Sequence, residues 1–107
     1  MAEPTLQDTF GAGATQTANS WTISKADFPT LTATDNNSAE QLLVALMLKL
    51  RDTLTTTRQA GNPEQSITVE EFGTQLVPRN DQQYYQLTLA VNLQQIQPAI
   101  AIDPDNF

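Results

Sequence analysis

SAEQLLVALMLKLRDTLTTTRQAG, residues Ser38–Gly61, is the stretch on which the fold turns. Ser38 is a good N-cap, and Gln41 three positions on completes a capping box. Glu40 sits in the first turn, where the helix dipole favours negative charge. Leu43, Leu46, Met47, Leu50 and Leu54 follow the i, i+3, i+4 spacing of an inward helical stripe. Gly61 is the natural residue just past the helix end, and Pro63 stops continuation. Thr55-Thr56-Thr57 lowers helix propensity, so fraying is expected from about Thr56. Leu42, Val44, Ala45 and Leu48 are apolar as well. The first half of the helix is therefore greasy nearly all round.

The second decisive stretch is YYQLTLAVNL, Tyr84–Leu93. Tyr85, Leu87, Leu89, Val91 and Leu93 alternate with polar or small residues and define a strand with one apolar face. Upstream, Ile67 and Val69 alternate, and after Glu71 the pattern moves to Phe72, Thr74 and Leu76. That phase shift predicts a β-bulge near Glu70–Gly73, with Gly73 supplying the conformational freedom. Pro78-Arg79-Asn80-Asp81 reads as the turn between strands Ser66–Val77 and Gln83–Leu93. The helix is expected to pack on the apolar face of this hairpin.

Ser20–Ser24 alternates with Trp21 and Ile23 on one face, a short first strand. Asp27–Leu31 turns the chain, and Thr32–Asn37 is loop. The expected fold class is α+β: one helix packed on a small antiparallel sheet in the order β-α-β-β, with extended N- and C-terminal arms. The segments are a flexible or docking arm at 1–19, a single α+β domain at 20–93 and an extended tail at 94–107. Phe10 is the anchor of the first arm. In the tail Ile96, Ile100 and Ile102 alternate, while Pro98 and Pro104 limit sheet pairing. Trp21 and Tyr85 are assigned to the core. Tyr84, on the opposite strand face, is assigned to a contact surface.

Composition narrows the function classes. The chain has 107 residues and a formal net charge of -7, from 12 acidic and 5 basic side chains. Lys25, Lys49, Arg51, Arg58 and Arg79 are scattered. Binding to nucleic acid or to an anionic membrane needs clustered cations, so neither is expected. There is no cysteine and no histidine. Thiolate nucleophiles, thiolate metal sites and the commonest general base go with them. The start Met1-Ala2-Glu3-Pro4 lacks the basic and apolar regions of a signal peptide. The longest apolar run, Leu42–Leu48, is too short to span a bilayer.

No grouping of residues carries recognisable chemistry. Glu70-Glu71 are neighbours on a strand and point to opposite faces, so they cannot share a proton or a substrate. Asp103-Pro104-Asp105-Asn106 and Asp35-Asn36-Asn37 are oxygen-rich but lack EF-hand spacing. Gly11-Ala12-Gly13-Ala14 lacks the Lys and Ser/Thr of a phosphate loop. The expectation is no enzyme, no cofactor and no metal site.

The alternating strand at Trp21–Ser24, the Asp27-Phe28-Pro29-Thr30-Leu31 turn, the helix from Ser38, the hairpin and the two arms resemble small virion structural proteins of tailed bacteriophages. The composition fits too: 15 Thr, 12 Gln and 7 Asn against a single pair of lysines. The resemblance implies a multi-copy structural or assembly protein of a capsid, neck, tail or fibre, docked by its arms on its neighbours. Localisation would then be the virion, and otherwise the soluble cytoplasm. The alternative is a small adaptor or regulatory module of a larger complex. About 200–300 Å² of apolar surface on the far side of the helix would give several kcal/mol if covered, which points to a homo-oligomer. The candidate interaction residues are Phe10, Leu42, Val44, Leu48, Tyr84, Ile100 and Ile102, with partners among other copies of the chain and neighbouring structural proteins.

Overall fold

The structure, a computed structural model, describes residues 3–96 and 101–107. The chain begins with helix α1 (Leu6–Phe10), then strands β1 (Thr15–Gln16) and β2 (Trp21–Thr22) and a 3-10 turn at Lys25–Asp27. Helices α2 (Ala39–Thr53) and α3 (Thr56–Gly61) follow, then the long strands β3 (Ile67–Arg79) and β4 (Gln82–Leu93). A second 3-10 turn, Pro104–Asn106, lies near the end. The fold is α+β, with helices beside two antiparallel sheets.

α2 starts as its sequence dictates. The Ser38 hydroxyl accepts from the Gln41 backbone N–H at 3.1 Å, and Gln41 Oε1 accepts from the Ser38 N–H at 3.0 Å. Its end differs from the expected single helix that stops just before Gly61 and frays from about Thr56. The helix stops at Leu54, where φ is -100° and ψ is 60°. Thr55 then caps a new helix, its hydroxyl accepting from the Arg58 N–H at 3.0 Å. A threonine hydroxyl that satisfies the orphan amides of a helix start competes well with continuing the old helix. The three threonines therefore restart the helix instead of fraying it. Gly61 becomes the last residue of α3, and Asn62 is the cap, its side chain donating to the Arg58 carbonyl at 3.0 Å.

The hairpin matches its pattern closely. Ile67 pairs with Leu93 and Arg79 with Gln82, with the register slipping once, between Glu71 and Gly73. Gly73 has φ +122°, a value that L side chains rarely adopt and glycine readily does. The strands extend past the expected turn. Pro78 lies in β3 opposite Gln83, and the two-residue loop is Asn80-Asp81, with φ of 53° and 60°. Positive φ at both positions is the type I′ geometry that suits the right-handed twist of a hairpin. Pro78 is tolerated because a two-stranded sheet leaves one edge of each strand unpaired.

The strand expected at Ser20–Ser24 is shortened to Trp21–Thr22, and it does not join the hairpin. It pairs with β1, Thr15 opposite Thr22 and Gln16 opposite Trp21. The single β-α-β-β sheet is thus two separate two-stranded sheets. The described part of the first arm is folded onto the rest. Thr5 and Asp8 form a capping box at the start of α1. Gln7 donates to the Ala14 carbonyl at 2.9 Å, and Asp27 Oδ2 accepts from the Gly13 N–H at 2.8 Å. Gly11, at φ +111°, comes so close to Asp27 that a Cβ would collide with that side chain. α1 packs against α2, so residues 3–19 and the chain from residue 20 share one small core.

That core is concentrated where α2 ends and β3 begins. Phe28, Ala45, Leu54 and Val69 are buried, as are Gln65 and Thr68. Gln65 is 2% exposed and satisfied throughout: it accepts from Arg58 Nη1 at 2.9 Å and donates to the carbonyls of Thr55 at 3.1 Å and Ile67 at 2.9 Å. The Val69 N–H donates to the Leu54 carbonyl at 2.8 Å, tying the end of α2 to β3. Away from this junction the molecule is drawn out. Its radius of gyration is 16.2 Å over extents of 47 × 31 × 26 Å, against about 13 Å for a compact domain of this length.

Candidate functional site

Cross-strand pairing decides which hairpin side chains share a face. Thr74 lies opposite Leu87 and Leu76 opposite Tyr85, while Val69 and Ile67 face Val91 and Leu93. Phe72 is the extra residue of the bulge and, counted back from Thr74 and Leu76, takes their face. This gives a largely apolar face along the hairpin, interrupted by Glu71 opposite Leu89 and by Thr74. Cover is uneven: Val69 at the base is 3% exposed, though Val91 and Leu93 beside it are exposed, Leu87 and Leu89 are half-buried, and Phe72, Leu76 and Tyr85 towards the tip are 74%, 66% and 75% exposed.

α2 lies along this face without closing on it. Its C-terminal end is tied to β3 by the Leu54–Val69 hydrogen bond and by Arg51 Nη1 donating to Glu71 Oε1 at 3.2 Å. Towards the N-terminal end, a cleft of about 460 Å³ separates helix from strand. Leu43, Val44, Met47 and Leu48 form one wall, and Tyr85, Leu87 and Leu89 the other. All seven are uncharged, and all but Tyr85 lack a hydrogen-bonding side chain. A second, more polar hollow of about 530 Å³ lies on the other flank of α2, against Thr30–Thr32. Val44 and Leu48 line both, which is the structural form of a helix apolar on two sides.

The sequence-predicted contact residues are distributed unevenly. Leu42 and Val44 are exposed, at 39% and 55%, and Leu48 is half-buried between the two hollows. Phe10 is no free anchor. It is half-buried and meets Trp21 edge to face at a centroid separation of 4.6 Å. Tyr84 is half-buried, with the Arg79 guanidinium 4.3 Å above its ring, a cation–π contact on the polar face of the hairpin. Ile102 is 52% exposed, and Ile100 lies outside the described residues.

Two core assignments are reversed. Tyr85 faces the cleft and the outside, and Trp21 is 52% exposed because β2 pairs with the arm and not with the hairpin. Leu43, at 56% exposure, leaves the inward stripe for the same reason that the cleft exists. The apolar patterning marked these residues as buried against helix or sheet. It carried no signal for the angle at which the helix leaves the sheet.

The carboxylates are occupied locally. Glu70 accepts from Asn92 at 2.8 Å and Glu71 from Arg51. Asp103 caps the last turn by accepting from the Asp105 N–H at 3.0 Å. Asn37 and Asn36 are bound to Thr34 and shape the loop before α2. Asp8 is held below the ordinary carboxylate range, first by the Thr5 N–H donating to it at 3.1 Å, then by the Thr5 side chain and, least, by the Arg58 charge, with desolvation opposing them. Among the described residues no helix is long and apolar enough to cross a membrane.

Comparison with known protein families, with characterised proteins and with solved structures returned no match for this chain.

Proposed function

We propose that this protein is a structural or assembly component whose function is binding, acting through protein–protein contacts in a multi-copy particle of the kind built by tailed phages. The observation that carries this reading is the uncovered apolar surface shared by α2 and the hairpin. Leu43, Val44 and Tyr85 in the cleft walls, and Phe72 and Leu76 further along the hairpin, are each more than half exposed. Isolated apolar residues on a surface need no explanation, but a contiguous apolar cleft marks a site of association. The elongated outline supports the same reading, because a drawn-out hairpin leaves contact surface that a compact domain of this size would bury. The Thr-, Gln- and Asn-rich remainder suits a polar rim of neutral hydrogen bonds around such a core.

Absolute mass in solution tests the proposal, by light scattering after size exclusion across a hundredfold range of concentration. A defined oligomer supports assembly by self-contact. A monomer throughout directs the search to a single heterologous partner and to the adaptor reading.

A further inference from the structure

Resting on the assembly reading, we infer that the cleft between α2 and β4 receives the Phe72 and Leu76 side chains of the hairpin from a second copy of this chain, in a two-fold pair. The chain carries both parts of the fit. The cleft is an uncharged slot of about 460 Å³ walled by leucine, valine, methionine and tyrosine. The hairpin presents Phe72, Leu76 and Tyr85 on a single face, and from Glu70 to Gln83 every residue but Val77 is exposed. In a two-fold arrangement hairpin meets cleft twice, as symmetry requires when residue i touches j and j touches i.

The area agrees with such a pair. A whole aromatic side chain covers about 150–250 Å², and an aliphatic one somewhat over ~100 Å². The exposed fractions of Phe72, Leu76, Tyr85, Leu43 and Val44 then come to roughly 500 Å² of apolar surface per protomer. A stable interface buries about 800 Å² per partner, of which about 65% is apolar in homodimers, or roughly 500 Å². Charge does not oppose the contact at its centre. No charged side chain lines the cleft, and Glu71, which lies opposite Leu89, is paired with Arg51. A two-stranded hairpin is marginal in water until a further layer covers it, and the second copy provides that layer for both hairpins.

The absence of cysteine makes the test direct. Val44→Cys in the cleft and Leu76→Cys on the hairpin are prepared as separate full-length proteins, mixed and oxidised, with Gln75→Cys on the opposite strand face as control. The expected product is the Val44→Cys–Leu76→Cys heterodisulfide, identified by its mass and formed at least tenfold faster than with the control. Leu76→Asp should weaken the dimer at least a hundredfold while leaving the far-ultraviolet circular dichroism unchanged. An oligomer whose mass survives Leu76→Asp, with cross-linking no faster than the control, overturns the hairpin-in-cleft pairing and leaves the assembly reading standing. A monomer at every concentration overturns the pairing and self-assembly together.

Discussion

Leu54 and Leu43 lie on the same helical segment and in the same apolar stripe, yet one is 5% exposed and the other 56%. At the Leu54 end, backbone and side chains interlock: Val69 donates to the Leu54 carbonyl, Arg51 meets Glu71, and Gln65 bridges Arg58, Thr55 and Ile67. At the Leu43 end, helix and strand part around a cleft lined by apolar side chains. Hydrophobic residues are denser at the Leu43 end, where Leu42–Leu48 is an unbroken apolar run, than at the Leu54 end, where only Leu50 and Leu54 are apolar between Lys49 and Leu54. Directional hydrogen bonds close one end and are missing from the other. The apolar effect has no preferred direction, so in this protein the polar contacts decide which half of the stripe is core and which half is left for docking.

The comparison is sharpest in a pair of truncations. Leu54→Ala should lower stability by about 3 kcal/mol, the usual loss for a buried leucine that leaves a cavity. Leu43→Ala in the monomer should change it by no more than about 0.5 kcal/mol, as at most exposed sites. Urea denaturation of both variants at a concentration where the protein is monomeric checks this. Equal losses would abolish the distinction between the two ends.

Gln65→Leu ranks next, at about 2 kcal/mol, because the carbonyls of Thr55 and Ile67 and the Arg58 guanidinium lose a buried partner together. A neutral outcome in the same denaturation assay would mean that the junction is held by apolar packing alone.

Gly11→Ala should follow, at about 1–2 kcal/mol, since the new methyl meets both a positive φ and the Asp27 side chain. The counterpart Gly73→Ala has a positive φ but open space around it, so the smaller loss is expected there. Thermal unfolding of the two variants separates a collision from backbone strain.

Acidification should have the smallest effect. Asp8 has a folded pKa below its ordinary value, so its stabilising contribution is fully present above the unfolded value, about pH 4. It is lost as pH falls through the folded value. Protection of the α1 amides, relative to the intrinsic exchange rate at each pH, should therefore fall on acidification before protection at the hairpin base does, and Asp8→Asn should remove the difference.

Much of this architecture could be read from the residues in order. The Ser38–Gln41 capping box and the slip at Glu71–Gly73 stand where short-range chemistry puts them, because each depends on neighbours within a few positions. The break at Leu54 was half legible. Thr55-Thr56-Thr57 announced poor helix, but whether a threonine frays a helix or caps another depends on whether the amide ahead of it, here that of Arg58, is left without a partner. Tyr85 and Trp21 were misplaced because alternation identifies an apolar face and says nothing about what covers it. Gln65 gave no warning of being the most buried polar side chain among the described residues. A glutamine in a linker after Pro63 looks like surface until α3 and β3 close around it.

The sequence by itself determined the class of fold, the hairpin with its bulge, the start of α2, and the lack of cysteine and histidine that narrows the available chemistry. These follow from local propensity, periodicity and composition. Tertiary structure alone decided that β2 pairs with the arm, that α2 meets the hairpin only at one end, and that the remaining apolar surface forms a cleft. Those outcomes depend on contacts between residues far apart in the chain, Leu54 with Val69 and Arg51 with Glu71, whose geometry no periodicity encodes.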